Sequence, residues 1–488
     1  MKRRTGLAAA LLVLLAFLTS CAGTLSVGFE QTPTPDPAPQ ATLEALVEEN
    51  QQLATALATA IAPPSPVPTA LGRVAYIRGG DLWVTQLPEG PYQRLTIDGH
   101  NREPRWASSG EWIAYRKDRT VLVERERPCQ EPLRQGEPPC HETVSTFQQQ
   151  VWLARRSGAD QHVINHGFTV ERFAWSPEGD VLAYVNENGD LQRLDPATNI
   201  ELRLVSSQGG GRVSAISWSP DGARLAYEWV TDEQTAPSTG REDGVWVVPA
   251  TGGQSLRVAR SAQATSLAGW QDADAVLIWE HPGRTPQPQD GVRLFSAALP
   301  VPGQGATPAQ IVVSQPMLPR PDFLSVAPAG QHTVAATVGT EPATWTDKRV
   351  VAGTFESEAD EAATTPSWSP DGKDLAFVAM PDAPGLTLGE DALTAMLSRH
   401  IQVATLGTGA SQALTQDPRY RDERPQWSRQ GNQLLFARMT REGQASLWLI
   451  AAEGGAPALV VDELTPAPDP IGTYGYVDWA QYYDWWRG

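Results

Sequence analysis

Seven histidines and three cysteines are the residues of this 488-residue chain best suited to hold a metal, attack a carbonyl or cross-link the backbone. The histidines are dispersed at 100, 141, 162, 166, 281, 332 and 400. His162 and His166 are four apart, a spacing that shares a face only on a helix, and the surrounding residues read as strand with no third ligand in sequence. The acidic run Glu356–Glu361 lacks the alternating oxygen ligands of a calcium loop and reads as a solvated turn. No phosphate-cradling glycine loop, dinucleotide fingerprint, H-E-x-x-H pair or G-x-S-x-G elbow occurs. The residues therefore point to no catalytic set, metal or cofactor. Cys129 and Cys140 stand inside an excursion that runs from Glu124 to Gln150. In an oxidising compartment a disulfide between them is the expectation, worth up to about 3 kcal/mol on the chain-entropy account; two free thiols are the alternative.

The third cysteine carries the compartment argument. Lys2, Arg3 and Arg4 precede an apolar stretch from Leu7 to Leu18, which ends in Thr19-Ser20-Cys21. A dozen apolar residues are too few for a hydrocarbon core of roughly 30 Å and fit the central region of a secretory signal. The ending resembles a bacterial lipobox: an aliphatic residue, two small ones, then a cysteine whose thiol becomes a diacylglyceryl thioether. Residues 1–20 are thus expected to be a signal peptide and Cys21 the lipidated first residue of the mature chain. Several acyl chains on one residue anchor stably, at about 0.8 kcal/mol per buried methylene.

Residues 21–40 continue as a proline-rich tether, and 63–70 form a second proline-rich linker; both favour extended, solvated backbone. Between them, residues 41–62 are rich in helix formers. Leu43, Leu46, Asn50, Leu53, Leu57 and Ala60 alternate at spacings of three and four, the seam of a short coiled coil with a polar residue at one a position. A weak homo-oligomer through this seam and a lone helical spacer are the two readings; helices of this length are marginal by themselves.

The remainder, residues 71–488, is set by a repeat. A phrase of the form Trp-Ser-Pro-x-Gly, followed by an apolar strand, begins at Trp175, Trp218 and Trp368, and the same phrase without the proline begins at Trp106 (Trp-Ala-Ser-Ser-Gly) and Trp427 (Trp-Ser-Arg-Gln-Gly). Weaker copies begin at Trp270, which lacks the proline, and at Val326, which lacks the tryptophan. Proline ends one strand because it has no N–H for the ladder. The acidic residue and glycine then turn the chain, and the next strand alternates faces. Units of roughly 40 to 70 residues, with 17 tryptophans, 42 glycines and 41 prolines in the chain, predict an all-β closed propeller of four-stranded blades. Strands near Arg73 open the body without a tryptophan strand of their own, and Trp479 is expected to supply it from the other end of the repeat array. Counted so, the blades number eight; merging the weak unit at Val326 gives seven.

The phrase resembles the repeat of TolB-type propellers, which is related to WD repeats and also found in the amino-terminal, non-catalytic propeller of prolyl oligopeptidase-like proteins. The resemblance implies an interaction module of the cell envelope rather than an enzyme. A formal charge of -18 opposes nucleic acid as a partner, because such binding rests on cations that neutralise phosphates. The expected function is a membrane-anchored, extracytoplasmic, non-catalytic scaffold that binds a protein, peptide or other ligand. The alternative is a hydrolase or lyase with its site at the central channel.

Overall fold

The computed structural model describes residues 71–488 apart from 128–139, 209, 232–242, 259–262, 283–290, 301–307, 329, 340–343 and 387–388. Cys21, the heptad segment 41–62, both proline-rich segments and Cys129 lie outside these residues, as does the side chain of Cys140. No helix among the described residues is long and apolar enough to cross a membrane.

The repeat folds as expected, into eight antiparallel sheets of four strands each. Blade 1 takes three strands from Arg73–Arg94 and its fourth from Tyr483–Trp486. Blades 2 to 8 follow in chain order, and the weak unit at Val326 is a blade of its own, the sixth. In blades 3 and 6 the second strand, Leu182–Asn186 and Val334–Val338, is buried at every position. Such strands are covered on both faces by neighbouring blades, so their sequences run apolar instead of alternating.

The repeated tryptophan does two jobs. Its ring lies buried between adjacent blades, as at Trp106, Trp218, Trp270, Trp368 and Trp427, while Trp175 is half-buried. Except at Trp106, whose buried indole N–H makes no hydrogen bond, it also reaches back one blade through that N–H and donates to the carbonyl one residue before that blade's own repeat position. Trp175 donates to Arg105 at 3.0 Å, Trp218 to Ala174 at 3.0 Å and Trp270 to Ser217 at 3.1 Å. Trp368 donates to Ser325 at 3.0 Å and Trp427 to Ser367 at 2.8 Å. A large apolar side chain buried with its polar handle satisfied is the arrangement in which tryptophan stabilises most.

The turn chemistry matches the sequence reading. In blade 4 the Ser219 hydroxyl donates to Asp221 at 2.6 Å, and the Ala223 amide donates to the same carboxylate oxygen at 3.1 Å. In blade 2, Gly110 has φ +70°, and a β-carbon there would strike the Trp486 ring.

Closure departs from expectation in its particulars. Trp479 lies not in the closing strand but in a single 3-10 turn, Trp479–Gln481, ahead of it. Trp485 pairs with Val74 as Trp427 pairs with Leu434 and Trp106 with Ile113, so Trp485 holds the repeat register. The spacing from Trp427 misled because an extra segment, residues 465–482, is inserted before the last strand. The excursion Glu124–Gln150 also proves regular where described: Trp112–Arg127 and Cys140–Arg155 pair over sixteen residues as a ribbon that extends blade 2. A further excursion, Pro381–Arg399, carries a short helix, Glu390–Met396. Its Ala392 and Met396 are buried with Phe323, Trp345 and Tyr476 of the same chain.

Candidate binding site in the propeller channel

Three of the innermost strands share a local distortion. Blades 2, 7 and 8 read Glu103-Pro104-Arg105-Trp106, Thr365-Pro366-Ser367-Trp368 and Arg424-Pro425-Gln426-Trp427. In each, the residue before proline has a left-handed backbone, with φ of 53°, 51° and 54°, and the register slips there. A bulge at a strand interior re-aims the side chain beside it. Non-glycine residues in this backbone region are uncommon and collect at functional positions. Here all three, Glu103, Thr365 and Arg424, face one cavity.

That cavity has a volume of about 910 Å³ and is walled by the inner strands of blades 2, 3, 6, 7 and 8. The inserted segment 465–482 forms the remaining wall, through Tyr476, Asp478, Trp479 and Gln481. Its anchorage is dense. Arg399 donates to the Gly475 carbonyl at 2.6 Å, Arg105 to the Ala480 carbonyl at 2.6 Å and Arg102 to the Gln481 side chain at 2.9 Å. The Trp479 indole donates to Glu423 at 2.7 Å, and the Tyr476 ring meets Phe323 edge-on at 4.8 Å.

Behind this wall lies a buried charge cluster. Glu423 accepts from Arg399 at 2.7 Å and lies 3.5 Å from Arg421. Burial pushes the Glu423 carboxyl up, but Arg421 and Arg399 outweigh it and hold the group below the usual carboxylate range. Burial in turn pulls Arg421 down to about 10, with Glu423 pulling the other way. Beside it Asp422, fully buried, takes two bonds from Arg438 at 2.7 and 2.9 Å. Breaking such pairs is costly because the remaining charge is left without a partner in low dielectric.

Toward the cavity itself, the described lining holds seven arginines against five carboxylates, and neither lysine nor histidine. Four of the arginines are committed. Arg102 is paired with Asp118 at 2.9 Å, Arg105 lies 3.6 Å from Glu103, Arg116 donates to Glu103 at 2.5 Å and Arg320 is bidentate with Asp322 at 3.0 and 3.1 Å. Arg172, Arg424 and Arg487 have no carboxylate within ion-pair distance among the described residues.

Of the residues singled out in sequence, the repeat tryptophans frame the channel from behind, and Trp479 lines it directly. His162 sits in the outermost strand of blade 2, edge-on to Trp112 at 5.9 Å. Among the described residues no three His, Cys, Asp or Glu converge as a metal group. The arginines were not foreseen. The signal that would have found three of the wall positions, Glu103, Thr365 and Arg424, is the residue three before each Pro-x-Trp tryptophan, read across blades.

Eight blades, closed by a strand from the far end of the array and held by one recurring tryptophan phrase, decide the architecture. It is a closed eight-bladed β-propeller. No known family profile matches the chain, and no curated protein is similar to it in sequence. Solved structures with the same fold include putative TolB from Agrobacterium tumefaciens, 12% identical, covering 81% of this chain and 90% of that one with a TM-score of 0.31. Another is an oligogalacturonate lyase in complex with manganese, 14% identical over 81% of this chain and 86% of that one, with a TM-score of 0.41. The propeller domain of the Trilobed protease from Pyrococcus furiosus is 11% identical over 75% of this chain and 99% of its own, also with a TM-score of 0.41. At these identities the likeness is one of fold alone, and it spans both enzymes and TolB. In blade 1 of the present chain the closing strand is paired with Arg73–Tyr76.

Proposed function

We propose that the chain is an extracytoplasmic lipoprotein, attached to a membrane through Cys21, whose propeller is a non-catalytic binding scaffold with its ligand at the axial channel. One observation carries the reading. A cavity of about 910 Å³, in the size range of small-ligand sites, is walled by polar side chains drawn from five blades. The reading of the site as a binding rather than a reacting one is supported by the pairing of its carboxylates: Glu423, Glu103 and Asp322 are all engaged with arginines, and Arg421 and Arg399 hold the Glu423 carboxyl below the usual carboxylate range. The anchor supplies location: the lipobox-like Leu18-Thr19-Ser20-Cys21 follows an h-region too short to span.

Two measurements test the two halves. Cys21→Ala is expected to move the protein from the membrane fraction to a mislocalised, unlipidated form; unchanged fractionation would remove the anchor. A photoreactive side chain at Gln149, in the cavity wall, is expected to capture ligand in native cells where one at Thr408, on an outer turn of blade 7, does not. Equal capture from both positions would remove the channel from the proposal.

A further inference from the structure

Resting on that reading, we propose that the channel ligand is an anion presenting two or more carboxylates, gripped by Arg172, Arg424 and Arg487. The chain as a whole carries a formal charge of -18, so a cavity wall with more arginines than carboxylates runs against the average of the molecule. Cations not needed by their own protein are the residue of the pairing above, and three arginines remain after it.

Their settings make them suited to an incoming acid. Arg424 is placed by the strained bulge before Pro425, lies over the Tyr483 ring at 4.6 Å and spends one N–H on the Tyr483 carbonyl at 3.2 Å. Arg487 lies over the Trp485 ring at 5.5 Å. Stacking occupies the face of a guanidinium and leaves its edge, where the N–H donors point, free for a planar acceptor. Arg172 is exposed and bonds only the adjacent Glu171 carbonyl, at 2.9 Å. Two guanidiniums already parked on rings lose little freedom when a ligand arrives. Desolvation lowers the Arg487 pKa, Asp484 pulls it back and the charge of Arg424 lowers it again, so a bound anion offsets a repulsion between the two cations.

A guanidinium fork fits carboxylate and phosphate alike, but three forks carried by separate parts of the chain match several separate acids, where one compact phosphate engages fewer of them.

The test uses the mature lipoprotein in detergent, titrated calorimetrically with citrate, tetraglutamate, tetraglutamine and inorganic phosphate. Citrate or tetraglutamate is expected to bind, with tetraglutamine silent and the affinity falling as salt rises. Citrate alone would mark a small free acid, and tetraglutamate alone an acidic chain. Arg172→Gln and Arg487→Gln, both exposed and outside every ion pair, are each expected to weaken binding at least fivefold. Arg419→Gln, on the rim and paired with Asp417, is expected to change nothing. Arg424→Gln is read only beside a thermal unfolding scan, because that side chain also supports the bulge. Preference for phosphate, no binding of either acid at millimolar concentration, or unaltered affinity in both exposed variants would overturn the inference. Capture at Gln149 that persists in the Arg172→Gln, Arg487→Gln double variant would leave the scaffold standing and reject only the identity of its ligand.

Discussion

Asp371 illustrates how much of this molecule is settled by single side chains in turns. Hydrogen bonds from the Lys373 ammonium, the Ser369 hydroxyl and the Lys373 amide hold its carboxyl at about 2. The folded value lies below that of an unfolded aspartate, near about 3.9. Its contribution to stability is therefore complete above about pH 4 and is lost as the pH falls toward about 2. Asp371→Asn is expected to flatten the acid limb of stability against pH in that window and nowhere else. The effect is small, since the group is exposed to solvent; an unchanged acid limb would contradict the assignment. Glu423 is the opposite case. It is buried between Arg399 and Arg421, and Glu423→Gln leaves two guanidiniums without their counter-charge. A loss of about 3–5 kcal/mol is expected in denaturant unfolding, and an unaltered midpoint would show that the cluster is not held by this carboxylate.

At the scale of strands and turns, the clasp of blade 1 is the decisive element. Gly72 precedes its first strand with φ +83°, and a β-carbon there would collide with the Trp486 carbonyl of the closing strand. Gly72→Ala is thus expected to lower the melting temperature by several degrees and to open residues 483–488 to proteolysis before the rest of the ring; retention of both would argue that closure tolerates the shift. The sequence made the clasp legible in kind but not in place. The missing tryptophan strand near Arg73 announced that another part of the chain must complete the blade. The residues between Leu464 and Tyr483 hid which one, because a segment that crosses a channel has no period to recognise. The ribbon of blade 2 was hidden for a related reason: its outer half buries little on either face, so it lacks the alternation that marks a half-buried strand, and Leu122 and Phe147 remain exposed. Repeat tryptophans were legible because every blade solves the same packing problem with the same residue. The channel arginines were not, because convergence from blades 2, 3, 6 and 8 and from the residue after the closing strand leaves no spacing along the chain.

The whole molecule is a ring whose two covalent approaches meet in one sheet. Residue 71 enters at blade 1, and that blade owes its fourth strand to Tyr483–Trp486, so the strand Arg73–Arg78 lies between partners from opposite ends of the repeat array. Any pull arriving along the residues before Leu71 is delivered first to this strand. Ladders on both flanks hold that strand, six residue pairs on one side and four on the other, so the seam of the ring is also the place where a load entering at residue 71 is first borne.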